Sequence, residues 1–103
     1  MKSEVLTVIQ IDGDRYSIRA TQHAKKRMAE REVDENVVAG EVIALGRERI
    51  VELQERDTDI AIVDERRDLA VIIAFNHNRI VIVTVIDKSE IWVKDGTFIE
   101  KLY

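Results

Sequence analysis

Thr21-Gln-His-Ala-Lys-Lys-Arg-Met-Ala-Glu-Arg31 concentrates cationic side chains in an otherwise acidic chain. If the segment is helical, the 100° step per residue places His23, Arg27 and Arg31 on one stripe at i, i+4 and i+8, with Ala24 and Met28 on the adjacent apolar stripe. An imidazole and two guanidiniums then point the same way. Between Arg19 and Arg31 there are five Lys or Arg and one Glu, whereas Glu52 to Asp59 holds four acids against Arg56 alone. A net charge of -4 argues against indiscriminate nucleic-acid binding, which is driven by cations that neutralise phosphates. The uneven distribution still permits a local anion site on an acidic protein.

The elements that must position this stripe follow from periodicity. Val5 to Ile11 alternates between two faces, Asp12-Gly13-Asp14 supplies a tight turn, and Tyr16 to Ala20 is the return strand of an antiparallel ribbon. Thr21 is then placed to cap a helix running to about Arg31, and Asp34 to cap a second. Val38, Val42 and Leu45 recur at i, i+4 and i+7, Gly46 is a C-terminal stop, and Gly40 is a mild weakness. After Gly46 the pattern turns extended: Arg47 to Leu53 and Ile60 to Asp64 read as strands, followed by the charged connection Glu65-Arg66-Arg67-Asp68. Leu69 to Phe75, the Asn76-His77-Asn78 turn and Arg79 to Ile86 form the clearest hairpin. Its near-continuous aliphatic strands belong at a sheet centre covered on both faces. Helices cover one face, so the other needs the N-terminal hairpin, the C-terminal tail or another subunit. Ile91, Val93, Phe98 and Ile99 around Asp95-Gly96 read as a last, less buried hairpin.

The expected fold class is therefore α+β: two N-terminal helices packed on an antiparallel sheet of four or more strands, preceded by a β-hairpin. With 103 residues a second core would be too small to offset its chain entropy, so residues 1–103 form one domain. The absence of cysteine removes disulfides and thiolate zinc sites, and two histidines far apart in sequence disfavour a histidine metal site, so neither metal nor cofactor is expected. The longest apolar runs are of strand length, and the first residues lack a signal peptide's apolar region, so a cytoplasmic location without membrane contact is expected.

Thr21-x-His23-Ala24-x-x-Arg27-Met28-x-x-Arg31, an Asp-capped second helix and the late strand Ile82-Val83-Thr84-Val85 together resemble a small bacterial and phage family of unnamed function. That family is grouped with the RelE/ParE-like toxins and, more broadly, with the barnase, EndoU, colicin and RelE ribonuclease fold. The resemblance covers roughly Tyr16 to Ile86 and leaves the first hairpin partly outside. It implies two helices on a four-stranded antiparallel sheet and a metal-independent endoribonuclease or a descendant of one, with RNA or a ribosome as substrate and an antitoxin or other protein as partner. Such cleavage needs an acid and a base about the 2′-hydroxyl and leaving oxygen, and cations at the phosphorane. On the resemblance, His23 is the candidate acid or base, Lys26, Arg27 and Arg31 are candidate phosphate contacts, and Thr84 contacts phosphate or orients His23. His77 is a candidate second proton-transfer group.

Each residue has a plainer reading. His23 can fasten the helix to the sheet, Arg27 and Arg31 can pair with Glu30, Glu35 or the acidic stretch Glu52 to Asp59, and Thr84 can be an ordinary strand former. His77 suits a solvated turn. Trp92 and Tyr103 can stack on bases, or pack within the fold or against a subunit. The alternative function, favoured by net acidity and by two-faced apolar strands, is a non-enzymatic homodimeric or protein-binding module of phage or mobile-element type. Its contact is an edge strand or an apolar sheet face. An acidic mimic of nucleic acid is weakened by the interspersed arginines.

Overall fold

The computed structural model describes residues 2–103. Strands β1 (Ser3–Ile11) and β2 (Asp14–Thr21) form the N-terminal hairpin, and helices α1 (Gln22–Glu30), α2 (Glu35–Ile43) and α3 (Arg47–Gln54) follow. Then come β3 (Ile60–Asp64), β4 (Leu69–Asn76), β5 (Arg79–Ile86) and β6 (Phe98–Leu102). The fold is α+β, with one six-stranded sheet in the order β1-β2-β5-β4-β3-β6.

Three expectations are corrected. The sheet is mixed, not antiparallel: β2 runs parallel to β5, and β3 parallel to β6. Both parallel pairs arise because a connection carries the chain back along the sheet before the partner strand begins. Secondly, Arg47–Gln54 is helical rather than extended. Ile50 and Leu53, three residues apart, bury together on one side of it, a spacing a helix satisfies and a strand does not. Thirdly, Ile91 to Phe98 makes no hairpin; only Phe98–Leu102 pairs, and it does so with β3.

One continuous core lies between the helices and the sheet. Ile18 and Ala20 of β2, Ile80, Ile82 and Val85 of β5, Val71 and Ile73 of β4, and Ile60 and Ile62 of β3 meet Ala24, Met28, Val38, Val42, Ile50 and Leu53. At about 1.5–3 kcal/mol per fully buried aliphatic side chain, this layer dominates the stability. α3 is fastened to the far edge by Arg49, whose Nε and Nη2 donate to the two Glu100 carboxylate oxygens at 2.7 and 2.8 Å. That fork holds the Glu100 carboxyl below the ordinary range.

The opposite face carries Ala61, Val63, Ala70 and Val81, which are also buried. β5 ends beside the Asp64 end of β3, yet β6 starts beside Ile60, so residues 87–97 must run back across the sheet. They form an irregular strap over this face, alongside Val63, Ile99 and Lys101. One end is pinned by Ser89, whose N–H and Oγ donate to Asp68 Oδ1 at 2.7 and 2.8 Å. At the other end Thr58 Oγ1 donates to the Gly96 carbonyl, and the Phe98 N–H to the Asp59 carbonyl at 2.9 Å. The C-terminal segment thus takes the covering role, while the N-terminal hairpin extends the sheet. Among the described residues no helix is long and apolar enough to cross a membrane.

Candidate functional site

Three places in the fold gather chemistry-bearing side chains: the basic helix α1, a buried acid pair between α2 and β3, and the lip of the strap.

α1 starts where Thr21 ends β2. Its Oγ1 accepts from the Ala24 N–H at 3.0 Å and donates to the Val83 carbonyl at 3.1 Å, so one side chain caps the helix and ties it to β5. Ala24 and Met28 face the core, which turns the basic stripe outward. His23 and Lys26 are exposed, and Arg27 is half-buried. Lys25 bridges Glu4 at 2.7 Å and Glu35 at 2.9 Å, and the Glu4 contact, then Glu35, holds it protonated. Arg27 pairs with Glu30 at 3.7 Å. Arg31 donates to the Val85 carbonyl and lies 3.4 Å from Asp87. β2 pairs with β5 only as far as Ala20 opposite Ile82, so the Val83 and Val85 carbonyls stand beyond the last strand pair. Thr21 and Arg31 satisfy them.

α1 therefore brings together His23, Lys26, Arg27 and Arg31 but neither of their proposed companions. Thr84 pairs with Ile72, which alternates with the core residues Val71 and Ile73, and its neighbour Val85 is also in the core. A bulge between Ile72 and Ile73 leaves Thr84 on the strap face, away from α1. His77 sits in the β4–β5 turn, and its carbonyl accepts from Gln54 Nε2 at 2.8 Å. Because Arg79 pairs with Ser17 at the first step of the β2–β5 ladder while His23 lies beyond the end of β2, the two histidines lie at opposite ends of the β2–β5 pair. The contacts that fasten α1 come from Thr21, Lys25 and Arg31, not from His23.

The second place was not foreseen from the sequence. Glu41 of α2 is 2 % exposed and Asp64, the last residue of β3, is 0 % exposed. Arg67 Nη1 donates to Glu41 Oε1 and Asp64 Oδ2, both at 3.3 Å, and Asp64 Oδ1 accepts from the Arg66 and Arg67 N–H groups at 2.9 and 3.2 Å. Among the described residues, Glu41 Oε2 is buried without a hydrogen-bond partner. Burial first, and then the hydrogen bond and charge of Asp64, push the Glu41 carboxyl up to about 7. Burial acts the same way on Asp64, but the bonds from Glu41, Arg67 and Arg66 outweigh it and hold Asp64 below the ordinary range. A proton on Glu41 would let that oxygen act as a donor, and the upward shift of the Glu41 carboxyl favours this form. The signal was present in the sequence: Glu41 interrupts the apolar run Val37 to Ile43 one residue before Val42, and Asp64 continues the inward alternation of Ile60 and Ile62.

The third place is the strap. Ile91 and Val93 are half-buried and Trp92 between them is 100 % exposed. It borders an open groove of about 720 Å³ lined by Val63, Ile91, Trp92 and Ile99 together with Glu65, Ser89, Glu90 and Lys101. Ile99 on the edge strand is itself 44 % exposed. Tyr103 is differently placed, its ring stacked 4.0 Å from the Arg66 guanidinium.

No group of three or more His, Asp or Glu side chains is arranged to hold a metal ion among the described residues. Compared with known protein families, curated proteins and solved structures, the chain has no significant match to any of them.

Proposed function

We propose that this chain is a non-enzymatic protein-binding module that works through the strap face of its sheet, with Trp92 as the anchor. The observation that carries the reading is the complete exposure of Trp92 on a strap pinned at both ends, where it lines an open groove of mixed apolar and charged side chains. Single exposed aliphatic residues are ordinary on soluble proteins. A fully solvated indole and the exposed Ile99 line one groove together with charged side chains, the mixture of a contact surface. Tryptophan is also among the residues that most often carry binding energy at protein interfaces.

A second reading keeps the resemblance to RelE-like ribonucleases. Its support is that α1 presents His23 and Lys26 exposed and Arg27 half-exposed on one helix. In that reading His23 is the acid or base, and Lys26 and Arg27 contact the phosphate of RNA. Arg31 would have to leave the Val85 carbonyl and Asp87 to join them.

One experiment separates the two. The protein and its His23→Ala and Trp92→Ala variants are incubated with total RNA and with translating ribosomes, and each is also immobilised and challenged with candidate protein partners, with circular dichroism confirming folding. The module reading expects no cleavage and binding that only Trp92→Ala removes. RNA cleavage lost in His23→Ala overturns it in favour of the ribonuclease.

A further inference from the structure

The strands sort their charges by face. Residues paired across neighbouring strands share a face, so the register assigns each side chain to one side of the sheet. Glu4, Asp14, Asp64 and Glu100, the acids of the strands, pair with Ala20, Ile11, Leu69 and Ile62, which are all core residues. These carboxylates therefore lie on the helix side. Arg15, Arg19 and Arg79 alternate with the core residues Tyr16, Ile18 and Ile80, and Lys101 pairs with Val63, so the basic residues of the strands turn to the strap side. On that side the strands carry cations and no acid.

Lys101 is neutralised by Glu65 at 3.4 Å, but among the described residues Arg15, Arg19 and Arg79 are in no ion pair. Arg15 and Arg79 are exposed and Arg19 is half-buried. They are contiguous: Arg15 and Arg19 flank Ser17 on β2, and Arg79 pairs with Ser17 from β5. Three unpaired guanidiniums gathered on a chain of net charge -4 make a local site for anions.

The edge beside them sets the shape of the ligand. β1 is the outermost strand and pairs only with β2, so its far edge is open to a further strand. Arg19 reaches toward that edge, its Nε donating to Ser3 Oγ at 2.7 Å and its Nη2 to the Ser3 carbonyl at 3.0 Å. Same-face side chains of any extended chain recur about every 7 Å, the spacing at which Arg15, the Ser17–Arg79 row and Arg19 follow one another. We propose that the β1–β2 half of the strap face docks an extended acidic segment of a partner protein, laid along β1 with its alternate carboxylates turned to Arg15, Arg79 and Arg19. This surface is separate from Trp92 and goes beyond the reading given for it.

A peptide fits better than a nucleic acid. Val5 and Val8, 44 % and 42 % exposed on the same face, call for aliphatic cover between the charges. The aromatic residues of the strands, Tyr16, Phe75 and Phe98, pack on the core side, so the strands offer no ring here to stack a base. Net acidity also opposes a long phosphate backbone more than a short segment.

The test is a fluorescein-labelled peptide that alternates glutamate and valine, titrated with the full chain and followed by anisotropy at low and physiological salt. The wild type should bind it, more weakly at the higher salt, and should not bind the peptide that alternates lysine and valine. Arg15→Gln and Arg79→Gln should each lower affinity about two- to fivefold, the worth of an exposed ion pair. Arg47→Gln removes the same charge from an exposed position on α3, and should change nothing. Circular dichroism confirms that the variants fold. No binding of the acidic peptide at low salt overturns the proposal, as does an equal loss in Arg47→Gln, which would reduce the effect to net charge. Tighter binding of a uridine oligonucleotide through the same arginines also overturns it and assigns the patch to nucleic acid.

Discussion

Glu41 Oε1 and Asp64 Oδ2 both accept from Arg67 Nη1 at 3.3 Å, so one guanidinium closes a buried pair of carboxyl groups from the solvent side. Two ionised carboxylates this deep would repel and strand an oxygen without a donor, and keeping Glu41 neutral removes both costs.

The pair makes stability depend on pH in a defined window. The Glu41 carboxyl is raised from 4.5 to about 7 in the folded protein, so its contribution is complete below 4.5, falls as pH rises, and is gone above 7. The span corresponds to about 3 kcal/mol. Glu41→Gln supplies a permanent amide donor toward Asp64 and should flatten this window, leaving the variant more stable than wild type at pH 8. Urea unfolding between pH 4 and pH 8 measures it. A wild-type profile that is level from 4.5 to 7 would count against a neutral Glu41 in the folded protein.

Arg27 and Arg31 lie one helical turn apart and should behave differently. Arg31 satisfies the Val85 carbonyl beyond the end of β2, and Arg31→Met should cost about 1–3 kcal/mol because it removes a charged donor from a partly buried acceptor. Arg27 makes only a surface pair with Glu30, and Arg27→Ala should change stability by no more than about 0.5 kcal/mol. Denaturant midpoints decide this. Equal losses for the two variants would contradict the structural role given to Arg31.

Local signals were readable from the sequence, and non-local ones were not. Thr21 and Asp34 cap the helices that follow them, and the aliphatic β4–β5 pair lies at the sheet centre, because capping and two-faced burial leave marks on adjacent residues. The parallel pairings of β2 with β5 and β3 with β6 join segments separated by many residues, and no local spacing encodes them. α3 was obscured by the adjacent β-branched Ile50 and Val51, which favour extended chain until Leu53 is seen to share the buried side with Ile50. Ile91 and Val93 alternate as a strand would, but their alternation reflects an irregular strap resting one side on the sheet. The basic stripe was legible as a surface. Its engagement by Glu30, Asp87 and the Val85 carbonyl was not, since Asp87 and Val85 come from a distant strand end.

Gly46 joins α2 to α3 with φ +85° and ψ 152°, a conformation almost confined to glycine. A Cβ there would meet no atom within 4 Å, so any penalty of Gly46→Ala is backbone strain alone. The expected loss is about 1–3 kcal/mol. Thermal unfolding tests it, with Gly40→Ala as the control: Gly40 is inside α2 with equally open space, and alanine there should stabilise by about 0.5–1 kcal/mol. Opposite signs at the two glycines are expected, and a neutral Gly46→Ala would show that the α2–α3 junction can rearrange.

Thr21 is 6 % exposed and its hydroxyl serves two partners, accepting from Ala24 N–H and donating to the Val83 carbonyl. Thr21→Val keeps the shape and removes both bonds, so it should cost about 2 kcal/mol, combining a lost N-cap with an unpaired carbonyl. Thr21→Ser keeps both bonds and loses one methyl group, for about 0.8 kcal/mol. Stability should therefore rank wild type, then serine, then valine, and the Ala24 amide should exchange faster with solvent in the valine variant alone. The order matters because shape and hydrogen bonding point opposite ways here. If valine proved better tolerated than serine, packing rather than the hydroxyl would hold α1 in register over β5, and the orientation of His23, Lys26 and Arg27 would not depend on the cap.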